Sequence, residues 1–127
     1  MEVRINKFVP GMFCLMLVLS MRPASAQNDA AAGKALFQSN CSPCHGESGK
    51  GDGPGGQALP IKPADLGERI TTNHYSDQYL IDVIGKGGSS VGKSNFMPAW
   101  SGALTDKQIR EIVAFLRTLP NANSAKK

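Results

Sequence analysis

Five consecutive residues, Cys41-Ser42-Pro43-Cys44-His45, constrain this 127-residue chain more than any other feature. Two thiols three positions apart, followed directly by an imidazole, have few chemical uses. A structural zinc site needs four ligands, and only His74 would be left to supply one. A redox dithiol sits in an alternating strand–helix pattern, and no β-rich run flanks this pair. A plain disulfide leaves His45 without a role. C-x-x-C-H is the attachment pattern for c-type haem. Each thiol adds to one vinyl group of the porphyrin, and the adjoining imidazole can reach the iron as an axial ligand. Cys41, Cys44 and His45 are therefore the expected anchors of one covalent haem.

The N-terminus explains the third cysteine and half of the net charge. Arg4 and Lys7 precede an unbroken apolar run from Met12 to Leu19, and Ala24-Ser25-Ala26 follows. A basic start, a short apolar run and an A-x-A exit have the order of a secretory signal peptide. The run is too short for a transmembrane helix, which takes about 20 apolar residues. Cys14 lies inside the run behind Met12 and Phe13, so it reads as a small hydrophobe, not a lipid attachment site. Cleavage after Ala26 would leave Gln27–Lys127, a single domain of 101 residues exported to the periplasm. With Arg4, Lys7, Arg22 and Glu2 removed, the formal charge falls from +4 to +2. That balance does not favour a nucleic-acid partner, and no stable membrane insertion is expected after cleavage. A chain of this length also excludes a multidomain enzyme and a polytopic membrane protein. Aromatic residues make up only 6%, so a covalently fixed haem would supply the centre of a thin core.

Helical signals surround the motif. Asp29–Asn40 is alanine-rich, which favours helix, and Asn28 or Asp29 can cap it. Gly33 and Phe37, four apart, share a face. Ser76–Ile84 reads as a second helix with Ser76 or Asp77 as cap, an apolar face of Tyr79, Leu80, Val83 and Ile84, and Gly85, Gly87 and Gly88 as a stop. Thr105–Gln108 is a capping box, with Leu104 and Ile109 as its staple. From there Ile109, Ile112, Val113, Leu116 and Leu119 keep a 3.6-residue period until Pro120. No strand signal of any length occurs. Between Gly46 and Leu66 the chain is rich in glycine and proline. It lacks the phosphate-loop pattern, and its proline-pinned segment Leu59–Pro63 points to a loop folded over the haem.

In this order of features the chain resembles the class I cytochromes c from about Asp29 to Leu119. These are the helix running into C-x-x-C-H, the Gly/Pro-rich loop, the Met97-Pro98 pair and the final amphipathic helix. The resemblance implies an all-α fold packed around one haem, with Gly33 and Phe37 of the first helix meeting Ile112 and Phe115 of the last. It also implies that the Met97 sulfur is the second axial ligand. Met97 is the sole methionine after the leader, and Pro98 disfavours helix there. His74, among polar residues, reads as a surface or cap-region histidine. A haem-ligating histidine donates its other N–H to a fixed acceptor. By resemblance that acceptor is a proline carbonyl, with Pro63 the first candidate and Pro60 the second.

With both axial positions filled by His45 and Met97, the iron has no open place for substrate, so the expected role is electron transfer and not catalysis. Burial under Phe37, Phe96, Trp100 and Phe115 would raise the reduction potential, since a dry site disfavours the extra charge of oxidised iron. The expected partners are other redox proteins, a donor dehydrogenase or cytochrome complex and an acceptor oxidase or reductase. Three roles fit: a free periplasmic shuttle, the electron-accepting subunit of a periplasmic dehydrogenase or oxidase, or a haem sensor or peroxidatic enzyme should Met97 not ligate. The short chain, with no further domain or retained anchor expected, leans towards the shuttle.

Overall fold

The computed structural model describes residues 24–120, with side chains from Asp29 onward. The expected leader, Met1–Ala26, lies outside that range except for Ala24–Ala26, which form the first turn of α1 (Ala24–Asn40). Five further α-helices follow: α2 (Ser42–His45), α3 (Pro54–Gln57), α4 (Leu66–Thr72), α5 (Asp77–Lys86) and α6 (Asp106–Leu116). A 3-10 turn over Gly88–Val91 comes between α5 and α6. There is no strand among the described residues, and the chain is all-α as expected. No described helix is long and apolar enough to cross a membrane.

The core is built where α1 crosses α6. A Cβ placed on Gly33 would stand 1.8 Å from the Glu111 carbonyl oxygen, so the two helix backbones touch at this point. One turn on, Phe37 and Phe115 pack with ring centroids 5.2 Å apart. Phe37 and Ile112 are the most deeply buried large side chains, and Ile109, Val113, Leu116, Leu80, Ile84 and Ile70 complete the cluster. The expected contact of Gly33 and Phe37 with Ile112 and Phe115 is present.

Local signals account for both helix starts. At α6, Thr105 Oγ1 accepts from the Gln108 N–H at 3.3 Å and Gln108 Oε1 accepts from the Thr105 N–H at 2.9 Å, the reciprocal box expected. At α5, Ser76 Oγ accepts from the Tyr79 N–H at 3.1 Å. The helix ends differ from expectation. α5 runs on through Gly85 to Lys86, because Gly85 is buried facing Ile109 of α6, where a Cβ placed on it would stand 3.7 Å from Ile109 Cδ1, and that packing outweighs the low helix propensity of glycine. α6 stops at Leu116, short of Leu119. There the Thr118 N–H and hydroxyl both donate to the Phe115 carbonyl, at 2.8 and 2.7 Å, and tighten the chain into a turn.

Arg117, just past α6, ties that end of the molecule together. Its guanidinium donates to Asp77 at 2.8 Å and to the Tyr75 carbonyl, joining the end of α6 to the start of α5. The short helix α4 had no forecast. Asp65 caps it by accepting the Glu68 N–H at 3.0 Å, and Ile70 anchors it in the core.

Candidate functional site

The last turn of α1 hands the chain directly to the C-x-x-C-H segment. The Cys41 N–H donates to the Phe37 carbonyl at 2.8 Å, and the Cys44 and His45 N–H groups both donate to the Cys41 carbonyl. Cys44 and His45 therefore ride on α2, and Cys41 on the turn that joins it to α1. The Gly/Pro-rich stretch is folded back onto them and is no free linker. The Gly51 N–H donates to the His45 carbonyl at 2.8 Å, Gln57 Nε2 to the Gly51 carbonyl at 2.6 Å, and the Leu66 N–H to the Gly49 carbonyl at 2.8 Å. Gly51 has φ +77° and lies so near Pro63 that a Cβ on it would meet the Pro63 oxygen at 2.1 Å. Only glycine satisfies both demands.

Met97 reaches the same place from the far side of the sequence. It sits in a loop where its carbonyl accepts from the Gly88 N–H at 3.0 Å, which fixes that loop on the 3-10 turn after α5. Cys41, Cys44, His45 and Met97 all line one cavity of about 370 Å³, a volume within the usual range for small-molecule and cofactor sites. Its other walls are mainly apolar. Phe37, Ile70, Leu80, Ile84 and Leu116 form the floor, and Leu59, Ile61 and Pro63 the loop side.

The donor set fits a haem. The two thiols are not joined to each other. Burial, reinforced by the neighbouring Cys44, pushes the Cys41 thiol up to about 11, so with nothing bound it is protonated. Burial also holds the His45 imidazole below its ordinary pKa, keeping it in the neutral form that ligates metals. His45 Nδ1 is buried without a hydrogen-bond partner, an unsatisfied ring atom that a cofactor environment would explain. Among the described residues, no three His, Cys, Asp or Glu side chains are clustered to share another metal.

Three sequence expectations are corrected. The His45 ring has no hydrogen-bond partner in this structure, so neither the Pro63 nor the Pro60 carbonyl accepts from it here. Trp100 and Phe115 do not line the cavity. The Trp100 N–H donates to the Ile84 carbonyl and the ring packs beside the core, while Phe115 is spent on Phe37. Phe96 does line the cavity but is 46% exposed, so it borders the mouth instead of burying the centre. The exposed His74, with φ +50°, lies outside this cavity, as a surface histidine should.

The aromatic wall that sequence reading missed is Tyr75 and Tyr79, stacked with centroids 4.3 Å apart. Three cations, Lys62, Arg69 and Lys93, also face the cavity without having been singled out. The signal that could have placed Arg69 was Asp65-Leu66-Gly67-Glu68, an N-cap pattern that fixes the register of α4.

The family described as cytochrome c oxidase, cbb3-type, subunit III matches residues 28–116. The cbb3-type cytochrome c oxidase subunit FixP of Bradyrhizobium diazoefficiens is 32% identical over 101 residues, 80% of this chain and 31% of that protein. Cytochrome c6 of Thermosynechococcus vestitus is 29% identical over 102 residues, 80% of each chain. This chain thus spans about a third of the FixP subunit and most of the cytochrome c6. Among solved structures, cytochrome cL of Methylophaga aminisulfidivorans aligns with a TM-score of 0.55 and 25% identity over 73% of this chain and 54% of that one. The KustC0563 c-type cytochrome aligns with a TM-score of 0.55 and 21% identity over 70% of this chain and 98% of its own.

Proposed function

This chain belongs to the c-type cytochromes, in the family of cbb3-type oxidase subunit III, and from that premise we propose that it is an exported carrier of single electrons between redox proteins. Haem-based electron transfer is the chemistry of the family. The finer assignment rests on one observation: Cys41, Cys44, His45 and Met97 line a single apolar cavity although Met97 is about fifty residues from the motif.

In this reading Cys41 and Cys44 hold the haem by two thioether bonds, and His45 and Met97 ligate its iron. When bound, the haem supplies a reversible one-electron couple at that iron. The chain does the rest. α2 and the loop folded onto it keep the thiols and the imidazole in one register. The apolar walls exclude water, which disfavours the more highly charged oxidised state and raises the potential. Imidazole with thioether ligation acts in the same direction. With both axial positions taken by side chains, no position is left for a substrate, so the protein is an electron-transfer protein and no enzyme by itself. Residues 1–26 serve export to the periplasm and are removed.

A second reading is supported by the FixP relatives, which are named as oxidase subunits: the same domain, held permanently in an oxidase or dehydrogenase complex. The cytochrome c6 relative, of which this chain covers 80%, is the counterpart of the first reading. The test is expression in a host that matures c-type cytochromes. The expected product is a periplasmic protein cut after Ala26, with one haem that resists extraction by acidified solvent. Cys41→Ser or Cys44→Ser should lower the covalent yield and the double variant should abolish it. Acid-stable haem in the double variant would overturn the attachment. Co-purification with a stoichiometric oxidase or dehydrogenase would replace the carrier by the subunit.

A further inference from the structure

The sequence holds two tyrosines, and the fold puts both in one place. The rings of Tyr75 and Tyr79 are stacked, with centroids 4.3 Å apart and planes 24° from parallel. That is closer than the roughly 4.5–7 Å usual for aromatic pairs. Both backbones are pinned. The Tyr75 carbonyl accepts from the Arg117 guanidinium, and the Tyr79 N–H donates to Ser76 Oγ at 3.1 Å. Both residues are half-buried, and both line the cavity that Met97 lines. Tyr75 also lines a second cavity, beside His74 and Arg117 at the ends of α4 and α6. The stack therefore reaches from one cavity to the other.

We propose that Tyr75 and Tyr79 form an oxidation site, in which two equivalents of an outer-sphere one-electron oxidant join the rings as an intramolecular dityrosine. Each oxidant takes one electron and is reduced, and each phenol releases its O–H proton to water. The two phenoxyl radicals form one carbon–carbon bond between ring positions ortho to the oxygens. The hydrogens on those two carbons then move as protons to the oxygens, which restores both aromatic rings. The net loss is two electrons and two protons. The site requires nothing of the cofactor, and it traps one-electron oxidants at a wall that Met97 shares.

Two features favour coupling within the molecule. Burial and the neighbouring Tyr75 hold the Tyr79 hydroxyl above its ordinary pKa, so this ring starts as the phenol and gives up its proton on oxidation. Rings held in contact also meet at an effective concentration far above that of a second molecule, which for well-oriented partners reaches about 10⁵ M or more. With no third tyrosine in the chain, a dityrosine within one molecule joins Tyr75 to Tyr79.

The experiment treats the ferric, haem-loaded protein at micromolar concentration with tris(bipyridine)ruthenium(III). The product is unfolded and cut by a protease that cleaves before Asp77, which separates Tyr75 from Tyr79 unless they are joined. The expected product is a monomer lighter by two hydrogen atoms whose two tyrosine peptides stay linked, in at least about tenfold excess over linked dimers. Tyr75→Phe and Tyr79→Phe, which keep the ring and the stack, should each abolish the link. Oxidation in urea should lower its yield severalfold, because the stack is then lost. Unlinked tyrosine peptides from the oxidised parent, oxidation confined to Trp100 or Met97, or links formed only between molecules would each overturn the inference. An equal yield in urea would overturn it too, since chain proximity and not the folded stack would then join the rings.

Discussion

Gly33 of α1 stands directly under the carbonyl of Glu111 in α6, with room for a hydrogen atom and none for a methyl group. This contact sets the spacing of the two helices that carry Phe37 and Ile112, and through Phe37 the placement of Cys41. Alanine is the better helix former by about 1 kcal/mol at an exposed site. Here the clash is backbone against backbone and cannot be relieved by a rotamer. Gly33→Ala should therefore destabilise the protein by about 2 kcal/mol net of that gain. In thermal unfolding followed by circular dichroism this corresponds to a midpoint lower by about 10 °C. An unchanged midpoint would mean that α1 and α6 are not in backbone contact.

Gly51→Ala tests the loop folded over the motif. The substitution meets both a left-handed backbone, costing roughly 1–2 kcal/mol, and the Pro63 carbonyl. The strained segment is local to the cavity, so two effects are expected together: a lower unfolding midpoint and a lower yield of haem-loaded protein. Loss of stability with full haem yield would separate the loop from the site.

Met97→Ala should leave covalent attachment intact, since Cys41 and Cys44 are untouched. The sulfur-to-iron charge-transfer band at the red end of the oxidised spectrum should disappear. The potential should fall by a few tenths of a volt, a part of the roughly 0.8 V that axial ligands can span. Persistence of the band would show that another group ligates the iron.

Thr105→Ala removes the hydroxyl that accepts the Gln108 N–H in the capping box at α6, and leaves the backbone N–H that donates to Gln108 Oε1. A loss of about 1 kcal/mol is expected, read as a shift of the urea midpoint with the slope unchanged. Because Thr105 does not line the cavity, the haem spectrum and the potential should match the parent.

The features legible in advance were those whose physics is local. The reciprocal bonds of Thr105 and Gln108 close over three residues. Ser76 finds the Tyr79 N–H the same distance on, and the chemistry of Cys41, Cys44 and His45 is contained in five residues. Where forecasts missed, a partner remote in sequence decided. Gly85 remains helical because Ile109 covers it. α4, only seven residues long, persists because Ile70 is buried by the rest of the core, although its Asp65–Glu68 cap was there to be read. Phe115 reads as a haem-burying residue until its ring is found packed on Phe37.

The sequence by itself determined that the chain is all-α, where its strongest helices begin, and that one haem-binding motif follows directly from the first of them. Those outcomes depend on neighbours within a turn or two, and capping, periodicity and thiol spacing operate over that distance. Only the tertiary structure decided what shares the cavity: Met97 but not Trp100, the Tyr75–Tyr79 pair, and a mouth carrying Lys62, Arg69 and Lys93 without a carboxylate. These residues come from α4, α5 and three loops. Which of their side chains meet is set by helix crossing and loop closure, through close packing around Gly33 and Gly51, and no local rule contains that.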